Sequence, residues 1–66
     1  DGCFKALDDF SQLLERVPNH VKGLYGASCC LDALKRKEEA KAMLIKALEF
    51  EPDFEGARSL LDRLNG

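Results

Sequence analysis

The sequence predicts an all-α chain of four antiparallel helices in series, arranged as a helix-turn-helix repeat array. The only two prolines, Pro18 and Pro52, lie 34 residues apart, and a fixed period of that length is the mark of stacked helical units. At the same offset Ala6 aligns with Ala40, Phe10 with Leu44, Leu14 with Leu48, Glu15 with Glu49 and Asn19 with Asp53. Between these marks apolar residues return at three- and four-residue steps, the period of one helix face.

The first helix is expected from Phe4 to about Arg16, with Ala6, Phe10, Leu13, Leu14 and Val17 on one face and Asp8, Asp9, Gln12 and Glu15 on others. Pro18 stops it, because proline disfavours helical geometry in the residue before it and supplies no amide to the preceding turn. Asn19 then offers a side-chain oxygen to the free amides of the next helix. That second helix spans His20 to about Leu34, where Leu24, Ala27, Ser28 and Leu31 form a narrow stripe with small residues at its centre. Small residues there permit two helices to cross closely. Lys35-Arg36-Lys37 is short enough only for a tight connection. The third helix, from about Glu38 to Phe50, carries Ala40, Met43, Leu44, Ala47 and Leu48, and Pro52 with Asp53 repeats the stop and start. A last helix from about Phe54 to Leu64 sets Ala57, Leu60, Leu61 and Leu64 against Arg58, Asp62 and Arg63, and Asn65-Gly66 ends it. Short connections make successive helices antiparallel.

Composition narrows the function. Sixty-six residues form one domain with a small core, and apolar residues at 45% rule out a disordered chain. A net charge of −2 with both signs scattered provides no basic stripe for phosphates, so nucleic acid is not an expected partner. Neither membrane insertion nor a signal peptide is expected, since no apolar run approaches about 18 residues and Asp1-Gly2-Cys3 lacks a basic, apolar leader. With no initiator Met and an abrupt start, a chain cut from something longer, or processed, is expected.

Reactive side chains are few. Cys3, Cys29 and Cys30 are odd in number and two are adjacent on one helix, where a bond between them would strain the backbone. Reduced thiols and a cytoplasmic compartment follow. Cys30 is expected as small core filler. With His20 the only histidine and no Cys-x-x-Cys, neither a metal site nor another cofactor is expected. Asp8-Asp9 and Glu38-Glu39 are adjacent carboxylates that do not face each other across a substrate. Glu38 and Glu39 complement the dipole of a helix start. No catalytic residue is expected, and no enzyme activity.

Val21 to Phe54 resembles one complete tetratricopeptide repeat. Leu24, Ala27, Ser28 and Leu31 match the first-helix pattern of that family, and Ala40, Leu44, Ala47 and Pro52 match the second. Asp1 to His20 is similar to the second half of a preceding repeat, and Glu55 to Gly66 to the first helix of a following unit or a capping helix. The sequence departs from the family at Ser28, where glycine is commonest, at Leu24, where tryptophan is frequent, and at Lys37, where tyrosine is usual.

The resemblance implies an α-solenoid that binds a protein or peptide partner in a groove lined by the first helices of successive units. The groove positions correspond to Lys22, Tyr25, Gly26, Cys29 and Asp32, and then to Gly56, Ser59 and Arg63. Lys22, Tyr25, Cys29, Asp32, Ser59 and Arg63 are the candidate partner-binding residues. A branch of the family clamps chaperone C-termini, but Gly26 and Cys29 stand where its arginine and asparagine would be, so that clamp is not assembled. The alternative is a structural segment of a longer solenoid, or the substrate-gripping domain of a larger enzyme, with binding residues elsewhere. A first helix without its natural cover would expose Phe4, Leu7 and Phe10, so self-association through them is a further expectation.

Overall fold

Both prolines interrupt the chain as their chemistry requires. A computed structural model describes residues 2–66 and contains α1 (Gly2–Arg16), α2 (Val21–Ala33), α3 (Lys37–Phe50) and α4 (Glu55–Asn65). Asp1, expected at the start of the first half-repeat, lies outside the described residues. Among the described residues there is no strand. Each predicted helix is found within one or two residues of its expected ends; α1 begins two residues earlier, at Gly2, and Lys37 joins α3 rather than the connection.

The helix starts differ from expectation in which residue caps them. The Val17 carbonyl accepts from the His20 amide at 3.1 Å, closing a tight turn with Pro18 and Asn19 inside it. Asn19 is therefore a turn residue, and the extended residue at the N-cap is His20 (φ −76°, ψ 93°), whose Nδ1 accepts from the Gly23 amide at 2.8 Å. In the neutral ring that bond leaves the proton on Nε2. The second turn is built alike, with the Phe54 amide donating to Glu51 at 3.1 Å, so Asp53 does not cap α4 either. Phe54 holds the N-cap at φ −73°, ψ 94°, without a side-chain cap bond. His20 and Phe54 are themselves 34 residues apart, so the repeat is visible in the backbone angles. His20→Ala should cost about 1 kcal/mol in a urea melt, and His20→Asn should restore most of it. His20→Ala as stable as the parent chain would show that the imidazole cap is idle.

Between α2 and α3 the chain turns through a left-handed residue. Lys35 has φ 63°, its amide donates to Asp32 at 3.0 Å, and the Arg36 amide donates to Leu31 at 2.8 Å. This pair of bonds is the Schellman arrangement that normally ends on glycine. A side chain there is strained against its own carbonyl, so Lys35→Gly should stabilise the fold by about 1 kcal/mol despite glycine's entropy. A destabilised Lys35→Gly would contradict that strain. Arg36 opens α3 and pairs with Glu39 at 2.7 Å, with both side chains about half exposed, 49% and 53%, so the pair adds little.

The core lies where α2, α3 and α4 meet. Leu24, Ala27, Ser28 and Leu31 of α2 are buried with Ala40, Leu44 and Ala47 of α3 and Ala57, Leu60 and Leu64 of α4. Ala27 and Ser28, the small residues expected where two helices cross closely, are among them. Ser28 is accommodated because its Oγ donates to the Tyr25 carbonyl at 2.6 Å, and among the described residues no buried side-chain nitrogen or oxygen lacks a partner.

α1 packs on α2 less deeply and contributes no fully buried residue. Of the three side chains expected to be uncovered, only Phe4 is exposed, at 59%. Leu7 is half-buried against the core, and the Phe10 ring lies on the backbone of Gly26, where any Cβ would collide with it. Cys30 is half-buried rather than core filler. It belongs to the stripe of Gly23 and Gly26, which faces α1, and not to the Leu24–Leu31 stripe.

Candidate functional site

A groove of about 340 Å³ opens between α2 and α4. Tyr25, Cys29 and Asp32 enter it from α2 at four- and three-residue steps, and Gly56, Ser59 and Arg63 enter from α4 at three- and four-residue steps. Steps of that size place each trio on one helix face. Two of the pairs across the groove, Tyr25 with Ser59 and Cys29 with Arg63, are 34 residues apart, so the repeat itself stacks equivalent positions side by side.

Five of the six candidate residues are thus gathered in one place. The sixth, Lys22, is exposed one turn earlier on α2 and does not line the groove.

Aromatic packing shapes one end. The Tyr25 ring meets Phe54 with centroids 5.2 Å apart and planes tilted by 37°, within the range where ring pairs attract beyond their buried area. Gly56 makes this approach possible. A Cβ there would lie 2.9 Å from the Phe54 ring and 3.4 Å from that of Tyr25, so a larger residue would push the rings from the first turn of α4. The sequence placed Gly56 in the groove and gave Phe54 no part in it.

The polar end is electrostatically mixed. The Tyr25 hydroxyl is held above the usual tyrosine range, first by charge repulsion from Cys29, then by burial and a hydrogen bond with that thiol, while Arg63 pulls the other way. At neutral pH it is an uncharged phenol, able to donate and accept. Arg63 and Asp32 are 3.9 Å apart, with Arg63 77% exposed and Asp32 32%. So open a pair adds little to stability and leaves the guanidinium free to engage another carboxylate.

Two other hollows lack the aromatic pair of this groove. Glu55, Arg58, Ser59 and Asp62 border a wholly α4-lined depression of about 470 Å³, which runs along a single helix. The other, about 360 Å³, is walled by α1, α2 and α3 and is mainly apolar, with Leu7, Leu31 and Met43 in its walls. The α2–α4 groove alone combines two helices, an aromatic pair and both charge signs. No family model, curated protein or solved structure matches the chain, so the groove's own geometry is what bears on function.

Proposed function

We propose that the chain is a tetratricopeptide-like repeat unit that binds a peptide or partner protein, without catalysis, in the α2–α4 groove. The observation that carries this reading is the convergence of residues from two repeat-equivalent helices, Tyr25 and Cys29 beside Ser59 and Arg63, on one open groove. Its Tyr25–Phe54 platform provides apolar area with a polar rim, the combination that interfaces favour. The arrangement offers hydrogen bonds, ring contacts and one exposed guanidinium, which select and hold a chain. A reducing, cytoplasmic setting goes with this reading, on the strength of three free thiols. No described helix is long and apolar enough to cross a membrane.

The test is selection of a random displayed peptide library on the folded chain, followed by affinity measurement on variants. Tyr25→Ala should weaken the selected peptides by roughly tenfold or more, as anchors of this type do, and leave the far-ultraviolet dichroism unchanged. Peptides that bind Tyr25→Ala and Arg63→Ala as tightly as the parent chain would remove the groove from the reading. Failure to select any peptide would favour a structural segment of a longer solenoid.

A further inference from the structure

α1 and α2 meet along two facing stripes. On α2 the stripe is Gly23, Gly26 and Cys30, and on α1 it is Leu13, Phe10, Ala6 and Cys3, all at helical steps. Two contacts set the register. Leu13 lies 3.2 Å from the position of a Cβ on Gly23, and the Phe10 ring covers Gly26. A step toward the N-terminus of α1 is therefore a step toward the C-terminus of α2. Continued by one turn, this register sets small Ala6 opposite Cys30, and Cys3 follows one turn farther along the same face of α1. Across this small side chain Cys3 acts on the Cys30 thiol, and both cysteines are half-buried. Cys29 points elsewhere, about 100° around the helix, and stands exposed in the groove.

We propose that Cys3 and Cys30 are a dithiol pair that closes into a reversible intramolecular disulfide, stapling α1 to α2. The oxidant class is a small-molecule disulfide, of which oxidised glutathione is the probe. The Cys3 thiolate attacks one glutathione sulfur, the glutathione disulfide bond breaks, and the leaving glutathione thiolate takes up a proton. Cys30, as thiolate, then attacks the Cys3 sulfur of the mixed disulfide and expels the second glutathione, which is protonated in turn. Two protein thiols are oxidised by two electrons, one glutathione disulfide is reduced to two thiols, and the two thiol protons pass to them. Burial, followed by the neighbouring Cys3, pushes the Cys30 thiol up. That suits Cys30 to the second step, where proximity compensates for a small thiolate fraction.

The experiment uses the full chain and its Cys29→Ser variant, treated with oxidised glutathione and mapped by mass spectrometry without reduction. The expected product in both is a monomer joined between Cys3 and Cys30, lighter by two hydrogens. It should form roughly tenfold or more faster in the folded chain than in denaturant. Its melting temperature should rise by roughly 10 °C or more, because the closed loop is long, and a dithiol reductant should reverse the rise. Cys3→Ser should show no such rise. Pairing no faster in the folded chain than in denaturant would overturn the proposal. So would separate glutathione adducts at Cys3 and Cys30, a bond to a second chain, or an equal rise in Cys3→Ser.

Discussion

Leu44→Ala is expected to remove most of the cooperative unfolding transition. Leu44 sits midway along α3 with no exposed surface, and the truncation leaves a cavity where three helices meet. Such changes cost about 2–5 kcal/mol. A domain of this size holds only about 3–10 kcal/mol in all, at the usual stability per residue. The variant should therefore unfold at much lower urea, or lack a folded baseline. Ile45, the next residue, is 51% exposed, so Ile45→Ala is the control and should shift the midpoint little. If the two variants melted alike, the division of α3 into inward and outward faces would be wrong.

Ala40→Leu and Ala47→Leu test the opposite fault, too much volume. Both alanines are fully buried with no exposed surface. Added methylenes would force α2 and α3 apart, at a cost of about 1–3 kcal/mol for each substitution. Ala42, on the same helix, is exposed, and Ala42→Leu should be nearly neutral because both residues favour helix. A denaturant series on the three variants checks this. Ala40→Leu as stable as Ala42→Leu would mean that the crossing is not close-packed.

Much of the architecture was legible because its causes are local. Proline ends a helix wherever it falls, and the spacing of Pro18 and Pro52 alone placed both turns. The stripes of Leu24–Leu31 and Ala40–Ala47 follow from helical period, and they are the buried faces. The caps were not legible, because Asn19 and His20 are both acceptors and only the turn closed by Val17 decides which one reaches Gly23. Lys35 in a left-handed conformation gave no sign, since residue type argues against it.

The groove was legible in part. The resemblance to the repeat family implied a groove with Tyr25, Cys29, Ser59 and Arg63 in it, and the repeat offset adds which of these positions on α2 and α4 are equivalent. Phe54 and Gly56 do not, because their roles depend on how closely one ring approaches another helix's backbone. The Cys3–Cys30 neighbourhood is likewise set by the sliding register of two helices. Periodicity within either helix says nothing about that register.

α1 buries none of its residues fully, while α2, α3 and α4 each bury three or more. Its release from α2 gives up no fully buried residue of its own, so the free energy of that partial opening lies below that of global unfolding. Amide hydrogens should therefore exchange in two tiers. Those of α1 trade with solvent through a sub-global opening that leaves the other three helices intact, whereas those around Leu31, Leu44 and Ala47 wait for the whole chain to unfold. Mild urea should lower protection in the second tier steeply and in the first only slightly, because denaturant sensitivity follows the area each opening exposes.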